Sequence, residues 1–355
     1  MLHLTHQGEG AGSTLSILEL ARAQREAGDR VLVGCRPGSL LAELAAEAGL
    51  AVEPVEFRGT RTAAARVAEL AQRHRVDVVN SHAARDRAAC RRARLARRLP
   101  AALVMTRRQL PRSLPPSVLV NSLAADCTVA VSASVRRALV HRGALPWRVR
   151  VVPNGIDPKR VDGPVSYAAL AEARAVSGWD PGRPTIGVVS RRKDQAVLLR
   201  GLPLLPRPAT VVLLGIGPDP ELLALAAAAP AHRVAFIPFR RDVVPFLSLF
   251  DVVVLPTSGE GLPRALLEAM ALGIPVVASR VGGTVDLVTD GVDGVLVPPR
   301  SSAGFARALA ALLADEGRRA ALGDAGRRAV RERFTLERTR RLTDAAYRAA
   351  LGRRA

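Results

Sequence analysis

Glu260 and Glu268 belong to one segment, Pro256-Thr257-Ser258-Gly259-Glu260-Gly261-Leu262-Pro263-Arg264-Ala265-Leu266-Leu267-Glu268. An apolar strand ends at Leu255, a glycine-bearing loop follows, and Pro263 suits the first turn of a helix. Glu260 then falls in the loop, and Glu268 inside the helix among apolar neighbours. A carboxylate buried there needs a partner. Vicinal ribose hydroxyls would serve, since a hydrogen bond to a charged group contributes on the order of 1.5–3 kcal/mol. An exposed helix glutamate beside a loop glutamate is the other reading.

Three further loops carry residue types suited to anions. Ser190-Arg191-Arg192-Lys193-Asp194 clusters cations where a helix opens, which suits the concentrated charge of a leaving diphosphate. It also reads as a solvated basic turn, but Lys193 is one of only two lysines, with Lys159, among 52 basic residues. Gly8-Glu9-Gly10-Ala11-Gly12-Ser13 follows the opening strand, and Ser13 is placed to cap the next helix. Val281-Gly282-Gly283-Thr284 is a second Gly-rich junction of this kind. A tight turn and a plain helix cap are the alternatives for these two. His82, in Asn80-Ser81-His82, reads equally as a strand-end structural histidine and as a substrate contact.

The elements that must position these loops alternate along the chain. Apolar strands are expected at 31–34, 76–80, 102–105, 127–131 and 149–152, with helices at 13–27, 62–74, 86–98 and 134–142 between them. Strands at 185–189, 210–215, 234–237, 252–255, 276–279 and 295–297 restart the pattern, and the Ala-rich run at 224–229 is a helix. Continuously apolar strands imply a sheet covered on both faces. The alternation therefore predicts an α/β chain with two doubly wound parallel sheets, each binding ligands at strand carboxyl ends. The Pro- and Gly-rich stretch 153–184 reads as the linker. The tail from Ser302 is helical and ends in 336–351.

Composition bounds the function classes. The 355 residues fit two domains, and 48% apolar with 24% charged is a globular mix. A formal net charge of +20 raises a nucleic-acid reading, but 3% aromatics leave few stacking platforms for bases. Arginine excess at the expense of lysine fits the coding bias of a GC-rich genome. It also fits a basic face for anionic membranes or phosphorylated substrates, with 91–98 and 107–112 as candidate segments. Cys35, Cys90 and Cys127 are widely spaced, which predicts reduced, buried thiols in a cytosolic protein. The start lacks a basic region followed by an apolar core, and no run of ~18 apolar residues occurs, so neither a signal peptide nor a membrane span is expected.

At the residues from Asp251 to Pro299 the chain resembles the retaining glycosyltransferases of the GT-B fold. The likeness rests on the E-x7-E motif at Glu260 and Glu268, Gly273-Ile274-Pro275-Val276-Val277-Ala278-Ser279, Val281-Gly282-Gly283 and Asp290-Gly291-Val292-Asp293-Gly294. Val152-Pro153-Asn154-Gly155-Ile156-Asp157 resembles the family's interdomain junction, and Leu214-Gly215-Ile216-Gly217-Pro218 a strand-end turn of its donor domain. The resemblance implies two Rossmann-like domains facing a central cleft: an acceptor domain over 1–155, a donor domain over 156–335, and a final helix over 336–355 that crosses back to the first. It assigns Glu260, Arg191 and Lys193 to catalysis, and Glu268, Gly261, Leu262, Gly187, Arg192, Gly215 and Asn154 to the donor. Gly12, Ser13, His82 and Arg108 would meet the acceptor, with Ala11 replacing the first glycine of the family's Gly-Gly loop. The family's Thr-x-His reads Thr106-Arg107-Arg108 here, and Asp286 stands where Glu is usual.

The reaction so implied moves a sugar, with retention of configuration, from a UDP- or GDP-sugar to a saccharide or lipid-linked acceptor. The setting would be cell-envelope polysaccharide or lipopolysaccharide synthesis, in the cytoplasm or on the inner face of the plasma membrane. No cofactor is implied and no nucleic-acid partner. No D-x-D motif occurs, so the expected activity is metal-independent. A sugar-nucleotide epimerase or hydrolase of the same fold is the enzymatic alternative. A nicotinamide-dependent dehydrogenase would need a complete G-x-G-x-x-G with a downstream acidic residue, which neither half supplies. Glu268→Ala is expected to weaken donor binding with little loss of fold.

Overall fold

The computed structural model describes residues 1–10, 12–111 and 114–353. Ala11, and Arg112 at the end of the second basic segment, lie outside the described residues. The chain divides into two compact units, Met1–Gly155 with Leu336–Ala355, and Ile156–Thr335.

The first unit holds seven parallel strands: β1 (Leu2–Leu4), β2 (Leu32–Cys35), β3 (Ala51–Pro54), β4 (Val78–Ser81), β5 (Ala102–Arg107), β6 (Cys127–Ala130) and β7 (Val149–Val151), in the order β3-β2-β1-β4-β5-β6-β7. Successive residues of β5 serve opposite faces. Leu103 and Met105 join a core with Val67, Leu70, Ala89 and Cys90, from the helices Thr60–Arg73 and Ala84–Leu95. Ala102 and Val104 meet Ala346, Tyr347 and Ala350 of the final helix, Leu336–Leu351. Burial on both faces is what lets β5 be apolar throughout. Tyr347 is locked in place because Asn80 Nδ2 donates to its hydroxyl at 2.7 Å. Cys35, Cys90 and Cys127 are buried and free, and burial raises all three thiol pKa values, that of Cys127 to about 11.

The second unit repeats the scheme with β8 (Thr185–Val189), β9 (Thr210–Leu214), β10 (Arg233–Ile237), β11 (Val252–Leu255), β12 (Val276–Ser279) and β13 (Val295–Val297), ordered β10-β9-β8-β11-β12-β13. In each sheet the first strand lies between the second and the fourth, so the winding reverses beside β1 and beside β8. Ligands of open α/β sheets bind at the strand carboxyl ends at these reversals.

Two expectations change. The stretch 153–184 is not a bare linker: it contains the helices Lys159–Asp162 and Tyr167–Ser177. The longer one is capped by Ser166, whose side chain accepts from Ala169 N, and is closed by Gly178 in the left-handed region. Gly12 and Ser13 open the helix Gly12–Glu26, so Ser13 lies inside the first turn rather than capping it. Among the described residues no helix is long and apolar enough to cross a membrane.

Candidate functional site

At the reversal of the second unit, the loops after β8 and β11 are tied together. Lys193 forms an ion pair with Glu260, both partly buried. Ser258 Oγ donates to Asp194, and Asp194 N to Pro256 O at 3.4 Å. The basic loop keeps its shape through Gln195, fully buried, whose Oε1 accepts from Lys193 N at 2.6 Å and whose Nε2 donates to Arg191 O at 2.8 Å. The two adjacent arginines differ. Arg192 is committed to Asp219 and Glu221, while the exposed Arg191 side chain makes no ion pair among the described residues. Gly215, at the end of β9 with φ +99°, lets Ser190 O come within 3.0 Å of where its Cβ would stand.

Gly283 brings the fourth loop onto the third. Its N–H donates to Glu260 O at 3.0 Å, and a Cβ there would lie 1.6 Å from Gly261 O. Only glycine permits this approach. Thr284 opens the helix Thr284–Leu287. Gly261 and Leu262 are buried in the same loop, just before the helix Arg264–Ala271. Gly187 lies within β8 instead, where the Phe250 ring occupies the space of a side chain.

Glu268 is 3% exposed. Its Oε1 accepts from Arg264 Nε at 2.9 Å and faces Arg160 Nε at 3.5 Å. Its counter-charges are therefore arginines of its own unit, which corrects the expectation that Glu268→Ala would spare the fold. The remaining acceptors on the carboxylate can still meet hydroxyls.

The reversal of the first unit is built on Asp86, a fully buried residue of the helix Ala84–Leu95. Its Oδ1 accepts from His6 N and Nδ1, and its Oδ2 from His82 N and Ala83 N at 2.8 and 2.7 Å. One carboxylate thus clamps the loops after β1 and β4. His82 lines the adjacent cavity with Thr5, Gln7, Ser13, Arg107 and Arg108. Arg108 Nη1 donates to Asn154 Oδ1 at 2.8 Å, so Asn154 belongs here in the first unit. Gly12 is exposed beside Ser13.

Behind the cavity runs a chain of hydrogen bonds: His82 Nε2 to His3 Nδ1 at 3.0 Å, His3 Nε2 to Gln24 Oε1 at 2.8 Å, and Gln24 Nε2 to Asp344 Oδ1 at 3.0 Å. The Gln24 carbonyl accepts, so His3 Nε2 carries the proton and His3 Nδ1 receives one from His82. Burial holds both rings neutral, with His82 well below its ordinary pKa and His3 at about 4. Because the unfolded rings take up protons near 6.5, this stability is present above that pH and is lost as pH falls towards 4. For His3 alone the displacement corresponds to roughly 3 kcal/mol. The urea midpoint of the first unit is accordingly expected to fall between pH 7 and pH 4.5. A midpoint that stays level across that range contradicts the neutral pair.

With this geometry in hand, family comparison decides the lineage. A model described as "Glycosyltransferase Family 4" matches residues 10–160, and one described as "Glycosyl transferases group 1" matches 183–315. The chain belongs to the group 1 glycosyltransferases. Among curated relatives of this group, the D-inositol 3-phosphate glycosyltransferase of Xylanimonas cellulosilytica is 36% identical over 225 residues, which is 59% of this chain and 54% of that protein. The lipopolysaccharide core biosynthesis glycosyltransferase LpsE of Rhizobium meliloti is 30% identical over 60% of this chain and 61% of its own. The matches span about half the length of the inositol-phosphate relatives. Anabaena HepE, crystallised in complex with UDP-glucose, superposes with a TM-score of 0.85 at 23% identity, covering 97% of this chain and 98% of its own. That likeness establishes the fold, which is GT-B, with two Rossmann-like parallel-sheet domains.

Several residues that shape the two sites, one in each unit, are not singled out by the sequence. Arg160 and His3 act through partners distant in the chain, Asp86 joins a distant His6 to its neighbours His82 and Ala83, and Arg264 and Gln195 pair within four residues but are not singled out by type. A buried Asp early in a helix and a Gln at a helix start are the only cues, and neither stands out unaided.

Proposed function

We propose that the chain is a retaining, metal-independent glycosyltransferase that moves a sugar from a UDP- or GDP-sugar to a saccharide or lipid-linked acceptor of the cell envelope. The observation that carries this reading is the Lys193–Glu260 pair at the β8/β11 reversal, with Arg191 exposed beside it. A nucleotide diphosphate seated there meets one ammonium, one guanidinium and a glycine-bearing loop. Glu268, buried in the following helix, is the candidate partner of the ribose hydroxyls, and Glu260 of the sugar or its phosphates. The acceptor hydroxyl oxygen bonds to the anomeric carbon as the bond from that carbon to the diphosphate breaks. The hydroxyl proton passes to a phosphate oxygen on the same face. The protein then supplies position and charge stabilisation rather than a dedicated base. Relatives that act on inositol phosphate and lipopolysaccharide core, and a structural neighbour that binds UDP-glucose, support the same class.

The first unit also presents a surface suited to the anionic inner face of the plasma membrane. Leu95 and Leu123 are exposed, the latter on the helix Pro115–Ala124. Arg91 bonds Asn121 of that helix, and Arg92, Arg97 and Arg98 are exposed nearby in sequence. Apolar side chains flanked by arginines bind such lipid surfaces.

One series of measurements tests the reading. A sugar nucleotide at 100 times its Kd stabilises the protein by about 2.7 kcal/mol, so a panel of UDP- and GDP-sugars should raise the melting temperature with at least one member. With that donor, turnover should survive a chelator, yield the retained anomer and depend on added acceptor. Anionic vesicles should retain the protein at low salt. No thermal response to any sugar nucleotide sinks the proposal. Loss of turnover with the chelator, or of vesicle binding, removes the metal-independent or membrane clause respectively.

A further inference from the structure

The cavity at the carboxyl ends of β1, β4 and β5 is lined by three arginines, and one of them has no partner among the described residues. Arg107 ends β5 and is 6% exposed, yet its guanidinium has no hydrogen bond or ion pair among the described residues. Arg87 and Arg108 line the same cavity, and none of the described residues lining it is acidic. Asp86 offsets part of the Arg87 charge, but its hydrogen bonds go to His6, His82 and Ala83 and none to Arg107. Burial, and secondarily the neighbouring Arg87, lower the Arg107 pKa to about 9, so it remains charged at neutral pH. His82 beside them is neutral and adds no opposing charge.

A buried guanidinium without a counter-charge is costly, and a like charge beside it adds to the cost. Such an arrangement is stable against replacement where a ligand brings the missing anion. Guanidinium forks match the oxygens of a phosphate in pairs, and two or three together suit a dianion better than a single carboxylate. The helix Ala84–Leu95 opens at the cavity wall, where Ala83 and Ala84 line it, and its free N–H groups favour the same charge.

We infer that this cavity is a phosphate site, held by Arg87, Arg107 and Arg108, and that the acceptor is a phosphorylated molecule anchored there by that group. The acceptor role rests on the proposed sugar transfer, whereas the phosphate site does not. A soluble sugar phosphate and a lipid phosphate headgroup present the same chemistry.

Calorimetric titration of the full chain separates the cases, with glucose 6-phosphate and short-chain phosphatidate as probes and glucose as the uncharged control. At least one phosphate probe is expected to bind, with affinity lowered tenfold or more by Arg107→Gln and by Arg87→Gln, and unchanged by Lys193→Ala. Binding of the soluble probe alone points to a sugar phosphate, and of phosphatidate alone to a lipid. Without ligand, Arg107→Met should raise the melting temperature, because it removes an unbalanced buried charge, and a structural role predicts the reverse. Should Arg107→Gln fail to fold, Arg87→Gln and Arg108→Gln carry the test. The inference is overturned if neither probe binds, or if both bind the arginine variants as tightly as the parent. Phosphate binding here without any sugar-nucleotide response leaves this site standing and removes the transferase reading. Turnover of neutral acceptors that survives Arg107→Gln keeps the transferase reading and removes the phosphorylated acceptor.

Discussion

Lys193→Ala is expected to lower kcat for sugar transfer by about 10²–10³-fold, the range seen when one preorganised donor to developing charge is removed. The diphosphate gains charge as it departs, so the ammonium acts more strongly in the transition state than on the bound donor. KM for the donor should move less than kcat, and Lys193→Arg should recover part of the loss. Stability should barely change, because the Lys193–Glu260 pair is partly solvated and such pairs contribute about 0–1 kcal/mol. Steady-state kinetics beside a melting curve check both halves. A kcat within threefold of the parent would show that Arg191 or the helix ends meet the leaving group without it.

Glu268→Ala should be the most destabilising single change in the second unit's site. The substitution withdraws a buried counter-charge from Arg264, itself 7% exposed, and from Arg160. Breaking a buried pair from one side costs about 3–5 kcal/mol. Chemical denaturation should report a loss of that order, and calorimetry a weaker sugar-nucleotide affinity. Glu268→Gln keeps an acceptor for Arg264 and a polar group for the ribose, so it should lose less stability and still bind weakly. Equal stability of Glu268→Ala and the parent would mean that the arginines find water or other partners at no cost.

The sheets were readable in advance because their strands are buried on both faces. Runs such as 102–105 and 252–255 have no polar phase to confuse, and their spacing sets the alternation. β3 escaped because Ala51-Val52-Glu53-Pro54 is a half-exposed edge strand, apolar at only part of its length. The helix Tyr167–Ser177 escaped because prolines and glycines crowd both its ends, and breakers were weighed above the eleven residues between them. In the site, Lys193 and the two glutamates stood out by rarity and spacing. Their pairings did not. The i,i+4 spacing allows Arg264 to face Glu268, but nothing local brings Arg160 to it, or says that Arg192 is occupied by Asp219 and Glu221 while Arg191 is not. Those choices are made by tertiary packing, which sets two residues of the same type one position apart to different tasks.

The final helix has a consequence for the order of assembly. Ala346, Tyr347 and Ala350 cover β5 and β6, and Tyr347 bonds Asn80 of β4, so the sheet begun in the first unit is roofed by a segment made after the second. During synthesis the second unit has all its strands and helices before the ribosome reaches Leu336, while the earlier one waits with an apolar face bare. A chain that has emerged from the ribosome only as far as residue 335 should therefore carry one finished lobe and one sticky, protease-sensitive lobe. Chaperones that recognise exposed aliphatic surface would find their target in the earlier of the two units, not in the later one.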